Sequence, residues 1–138
     1  MEDRVFNRLT IEINRAYYTF KRYMAPSTFA FLYIEKELTP TQLGEFVRIS
    51  DKFLEVDKNH YFINFVFTEQ DGAFKASQNL ILNLDIFFQD SVSCIAIDTF
   101  DASKSPRIVI NRLHQILKET KKNPYSRIED EDVLNGII

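Results

Sequence analysis

One cysteine, three glycines, four prolines and no tryptophan are spread over 138 residues. A lone thiol, Cys94, cannot close an internal disulfide, so a disulfide-stapled fold is excluded and a reducing, cytoplasmic compartment is expected. So few Gly and Pro leave little room for elaborate loops. No apolar run approaches the roughly 20 residues needed to span a bilayer. Met1-Glu2-Asp3-Arg4 leads into charged, helix-like sequence without the apolar centre of a signal peptide. An excess of positive charge is also missing. The formal net charge is −3, which argues against a nucleic-acid partner, whose affinity rests on Lys and Arg neutralising phosphates.

Aromatic and apolar side chains are what the chain has in quantity. Thirteen Phe and six Tyr, with 45% hydrophobic and 27% charged residues, describe one globular domain with a core of its own. From Asp3 to Met24, Val5, Leu9, Ile13, Ala16, Phe20 and Met24 recur at helical spacing, while Arg8, Glu12, Arg15 and Arg22 fall elsewhere. This predicts an amphipathic helix that stops before Pro26. The aromatic run Thr28–Glu35 has the length of a strand buried on both faces. Thr39, with Pro40 next and Gln42 three residues on, makes a capping box. The helix it starts is expected to bury Leu43, Phe46, Val47, Ser50 and Phe53 or Leu54. Leu54–Val56 and Tyr61–Thr68 read as hairpin arms around a turn at Asp57–His60. Asp71-Gly72 opens a further helix with Ala73, Ser77, Leu80, Ile81, Leu84, Phe87 and Phe88 on its apolar side. Ser91–Thr99 is another apolar strand. Ser105 and Pro106 start a last helix burying Val109, Leu113, Ile116 and Leu117, which ends by Asn123 because Pro124 disfavours helix in the residue before it.

Strands alternating with amphipathic helices imply a sheet covered by helices. The helix-connected strands and the hairpin together predict a mixed sheet. The fold class expected is therefore α/β (α+β), a ferredoxin-like, nucleotidyl cyclase-like mixed sheet of four to five strands. Residues 1–128 form the domain, with the N-terminal helix in 1–25. Residues 129–138 form an acidic C-terminal tail ending in the apolar Val133-Leu134 and Ile137-Ile138.

Several local patterns in this order resemble the GGDEF domain of bacterial diguanylate cyclases, which join two GTP molecules into cyclic di-GMP. Asn7-Arg8 is similar to the Asn-Arg pair that begins the family's first helix. Glu35-Lys36-Glu37-Leu38 looks like its Asp-x-Asp-x-Phe strand end, and Val92-Ser93 like its Val-Ser strand. Thr120 to Arg127 resembles its closing Ala-Lys and Gly-Arg-Asn segment. The family's signature turn falls on Lys58-Asn59-His60-Tyr61-Phe62. The resemblance implies carboxylates that hold Mg²⁺ against GTP phosphates. Here Glu35 could substitute for one of them, but the turn's glycines are Lys58 and Asn59, and its acidic pair is His60 and Tyr61. Neither replaces a hard oxygen ligand for Mg²⁺. Lys121 matches the family's C-terminal Lys, while Tyr125 stands where its companion Arg belongs. Arg48-Ile49-Ser50-Asp51 echoes the family's Arg-x-x-Asp product-binding motif.

The leading expectation is a catalytically inactive GGDEF-like signalling module that works through a protein partner or a homodimer, with no cofactor. An alternative is a nucleotide or cyclic di-GMP receptor without turnover, using Glu35, Glu37, Arg48, Asp51, His60 and Lys121. A divergent Mg²⁺-dependent nucleotidyl cyclase using Glu35 and Glu37 as metal ligands is the third. Each residue has a plainer reading beside its functional one: solvated charge for Glu35 and Glu37, a surface pair for Arg48 and Asp51, an exposed turn histidine for His60, and helix-dipole compensation for Lys118, Lys121 and Lys122. His114 is expected to be structural and Cys94 a buried, unreactive thiol.

Overall fold

The aromatic run after the first helix becomes the centre of the sheet. In the computed structural model, which describes residues 1–123 and 125–136, strand β1 (Thr28–Ile34) lies between β3 (His60–Phe65) and β4 (Ser93–Asp98). Strand β2 (Lys52–Asp57) flanks β3, and a two-residue β5 (Ile128–Glu129) flanks β4, giving the order β2-β3-β1-β4-β5. β1 runs antiparallel to both neighbours, and β2 runs antiparallel to β3. The one parallel pairing, β4 with β5, makes the sheet mixed. Strands joined through helices do run parallel: β3 sits between β1 and β2, β1 sits between β3 and β4, and only β4 and β5 pair directly.

Helices cover both faces. Helix α1 (Asp3–Tyr23) and α4 (Pro106–Lys122) pack on one side, where Leu9, Ile13, Leu113 and Leu117 meet Phe29, Phe31 and Phe62. The short α2 (Pro40–Gly44) and α3 (Gln70–Phe88) pack on the other, where Leu43, Leu80 and Leu84 meet Leu32, Ile34, Tyr61 and Ile63. Alternation along β3 sends Tyr61, Ile63 and Phe65 one way and Phe62 the other. Burying a phenylalanine such as Phe31 or Phe62 contributes roughly 2–3 kcal/mol each. A 3₁₀ segment at Glu131–Gly136 follows β5, and Val133 and Leu134 rest against the α1/α4 core.

Several readings change, and Phe87, expected on the apolar side of α3, is 46% exposed. The helix after Thr39 keeps its capping box but has only five residues. Pairing with β3 takes residues from Lys52 onward into β2, so Phe53 reaches the core from a strand. Ser50 is exposed. Glu12, off the apolar positions of α1, is nonetheless buried at 7% exposure, with Arg15 and Lys52 each 3.7 Å from a carboxylate oxygen. Met24 is the left-handed C-cap of α1 rather than part of it, and it is exposed. The expected end of α4 holds, with Asn123 as its C-cap. Pro124, read as the residue that stops it, and the terminal Ile137-Ile138 lie outside the described residues. No helix among the described residues is long and apolar enough to cross a membrane.

Candidate functional site

The β2–β3 turn closes with two residues, Lys58 and Asn59, between the paired Asp57 and His60. Neither uses left-handed backbone, since the described non-glycine residues that do are Met24, Phe67 and Gln89. A tight turn without positive φ strains against strand twist. Here the register shifts between Glu55 and Asp57, a bulge that takes up the difference. The Asn59 N–H donates to Asp57 Oδ1 at 2.9 Å, a local Asx turn.

Side-chain donors then fasten the hairpin to the loop that leaves β1. Asn59 Nδ2 donates to the carbonyls of Ile34 (2.9 Å) and Glu35 (3.2 Å). The Ile34 N–H donates in return to the Asn59 carbonyl at 2.8 Å. Tyr61 is fully buried, and its hydroxyl donates to the Leu38 carbonyl at 2.6 Å with Glu55 Oε2 at 3.3 Å. Burial, and then the Glu55 charge, push the phenol's pKa up, so it stays a donor.

On the other face, three charged or polar groups form a chain. His60 Nδ1 lies 2.7 Å from Asp57 Oδ1, and His60 Nε2 lies 3.0 Å from Lys121 Nζ. An ammonium can only donate, so Nε2 accepts and Nδ1 carries the proton towards Asp57 in the neutral ring. Partial burial works against the Asp57 carboxylate. The bonds from His60 and from the Asn59 N–H outweigh it and hold the carboxyl below its usual range. Lys121 Nζ also sits 4.0 Å over the ring of Tyr33, which is tilted against His60 at 5.3 Å.

Beside Tyr33 and Lys121 opens a cavity of about 480 Å³, lined further by Ser91, Ser93, Thr120 and Arg127 among others. Arg127 is held there by two bonds to Asp85 (2.7 and 2.6 Å) and one to the Ser93 carbonyl (2.9 Å). Cys94 is on the cavity wall. Burial pushes its thiol up to about 11, against the pull of Lys121 and Arg127, and a protonated thiol is a poor nucleophile.

Of the six residues singled out from the sequence, His60 and Lys121 come together from 61 positions apart. Glu35 and Glu37 do not share an extended strand end, because β1 stops at Ile34 and residues 35 and 36 bend. Both are exposed. Arg48 and Asp51 lie at the opposite end of the hairpin from the turn. Their two bonds of 2.8 Å make a bidentate pair, and Arg48 also reaches Thr68 Oγ1 at 2.8 Å. The Asp51 side chain is 1% exposed and that of Arg48 48%, so this pair first of all ties the start of β2 to the end of β3. The roles of Tyr33, Asp57 and Asn59 were missed. Tyr33 opposite His60 follows from the β1–β3 register, which no local pattern reveals.

Mg²⁺, which the resemblance implies, needs converging carboxylate and water oxygens. Among the described residues no three of His, Cys, Asp and Glu converge to hold a metal ion. At the turn, an ammonium stands beside His60, and Tyr61 points into the core. These residues do not fit Mg²⁺.

No family model matches the sequence, and no curated protein matches it significantly. Solved structures do match the fold. The GGDEF domain of DgcB from Caulobacter crescentus, in complex with c-di-GMP, superposes with a TM-score of 0.71 at 11% identity, over 88% of this chain and 87% of that one. The FimX GGDEF domain from Pseudomonas aeruginosa gives 0.69 at 15% identity, over 88% and 91%. The diguanylate cyclase SiaD from Pseudomonas aeruginosa, in complex with its activator SiaC, gives 0.73 at 8% identity. That match covers 90% of this chain and spans 57% of SiaD. The chain has the fold of GGDEF domains. At these identities the likeness is one of architecture, and function has to be argued from the site.

Proposed function

We propose that this GGDEF-fold domain works by binding and does not convert GTP. The observation that carries the reading is the fastening of the signature turn. Asn59 and Tyr61 tie the hairpin to the Ile34–Leu38 loop through backbone carbonyls. His60 is already engaged on both ring nitrogens, by Asp57 and Lys121. Groups that would have to receive a metal-bound triphosphate are therefore spent on holding the fold. A signalling module of this kind acts through a protein partner, as SiaD is found in complex with its activator.

A second reading is favoured by the cavity at Tyr33 and Lys121, which offers an aromatic face, an ammonium and hydroxyls to an anionic ligand such as a nucleotide. One set of measurements separates the two. The purified chain is incubated with GTP and Mg²⁺ or Mn²⁺, and released pyrophosphate and cyclic di-GMP are followed. No product above the protein-free control is expected. Turnover that disappears in Lys121→Ala would overturn the proposal. Calorimetric titration with GTP, ATP and cyclic di-GMP tests the second reading, which fails if every titration is flat at millimolar ligand.

A further inference from the structure

The outward face of α1 carries a charge pattern that helix stability does not explain. Between residues 4 and 22 there are five cations, Arg4, Arg8, Arg15, Lys21 and Arg22, and one carboxylate, Glu12. All five cations are exposed, whereas Glu12 is buried beneath the helix. The whole chain nevertheless has a net charge of −3. Arg4 and Arg8 are like charges at i,i+4, a destabilising arrangement. They also sit towards the helix N-terminus, where the dipole disfavours positive charge, although Glu2 and Asp3 lie close by. Arg15 has a contact at 3.7 Å to Glu12, and Arg22 reaches the Tyr18 hydroxyl at 3.3 Å.

In the middle of this basic face are two large side chains left in water, Ile11 at 51% and Tyr18 at 63% exposure. Helical spacing puts them on one stripe, seven residues apart. They line a groove of about 490 Å³ together with Asn14, Arg15, Thr19 and Lys52, so the edge strand β2 adds one more cation to its rim. The groove is shallow, and tyrosine and arginine beside an apolar patch are residue types enriched at interface hot spots.

We propose that this groove docks an acidic amphipathic helix of a partner protein, with apolar side chains on Ile11 and Tyr18 and carboxylates on the arginines. Charge complementarity identifies the occupant. The chain's own acidic stretch does not serve, because Glu131 is bonded to Thr99 and Gln70, and Val133 and Leu134 pack on the core. Ile11 and Tyr18 are too few to insert into a bilayer, since Val5, Phe6, Leu9, Ile13, Ala16 and Tyr17 pack in the core and the exposed Tyr23 lies at the helix end, off their stripe. The inference rests on the reading of the domain as a protein-binding module and adds the surface and the chemistry of the partner.

The test measures fluorescence anisotropy of a labelled synthetic 18-residue helical peptide with a Glu face and a Leu/Phe face, titrated with the full chain. Parallel titrations use the same peptide with Lys for Glu, phosphatidylserine-containing vesicles and a single-stranded oligonucleotide. The acidic peptide is expected to bind at least about tenfold more tightly than its Lys counterpart, and more weakly as salt shortens the range of the charges. In R8E/R15E/R22E the affinity should fall by about tenfold or more, and in Tyr18→Ser by a smaller factor, with helix content unchanged by circular dichroism. If the triple reversal fails to fold, R8Q/R15Q/R22Q takes its place. Equal binding of the two peptides, undiminished binding by the α1 variants, or binding only to vesicles or oligonucleotide overturns the proposal. GTP turnover would instead overturn the reading of the hairpin and leave the peptide result standing, so the two failures are distinguishable.

Discussion

Tyr61 and His114 show how single side chains carry the state of this site. Tyr61 occupies a position where the resemblance implies an acid, yet its hydroxyl donates to the Leu38 carbonyl from a fully buried ring. Tyr61→Phe leaves that carbonyl without its donor and should cost about 1–2 kcal/mol, read as a lower urea midpoint. His114 lies on α4 with its ring edge-on to Phe31 at 4.8 Å. The residue is open to solvent over part of its surface, yet partial burial of the ring first, then the repulsion of neighbouring cations such as Lys121, holds its pKa below the ordinary 6.5. Protonation therefore favours the unfolded chain. The stability this histidine contributes is complete above the ordinary imidazole range and is lost as pH falls through it and on past the lowered value. The urea midpoint should drop between neutral and mildly acid pH, and His114→Gln should flatten that step. An unchanged slope in the variant would refute the assignment.

Elements show the balance between local rules and pairing. Ser105 caps α4 by accepting from the Ile108 N–H, with Pro106 directly behind it, and both roles can be read from residue type alone. Helix α3 ends instead on Gln89, whose φ of 54° is left-handed backbone that suits glycine. Gln89→Gly should raise stability by about 0.5–1 kcal/mol in chemical denaturation. Thr39 and Gln42 form their capping box as the sequence indicates, but the helix they start is five residues long. A cap is a contact between neighbours. How far the helix runs depends on whether residues from Lys52 onward gain more as an edge strand on β3, and that competition is decided outside the segment.

At the scale of the whole molecule, Arg127 joins parts that the sequence keeps far apart. It pairs with Asp85 on α3 and reaches the Ser93 carbonyl on β4, next to the short parallel pairing of β4 with β5. Arg127→Ala should leave Asp85 partly buried without its partner and cost about 1–3 kcal/mol. Hydrogen exchange should quicken at Ile95, whose N–H donates to the Arg127 carbonyl. Unchanged exchange there would show that β5 holds without the ion pair. The sequence by itself determined the kinds and order of the longer elements and the two-sided burial of β1, because periodicity, caps and apolar runs act within a few residues. It also showed that the turn at Lys58–Tyr61 lacks glycine and acid. Only the tertiary structure decided that Lys121 meets His60, that Asn59 and Tyr61 fasten the β1 loop, that Glu12 is buried, and that Arg15 of α1 and Lys52 of β2 border one groove at Ile11 and Tyr18. Those contacts depend on strand register and on helices laid across the sheet, and both are set by the packing of the entire core.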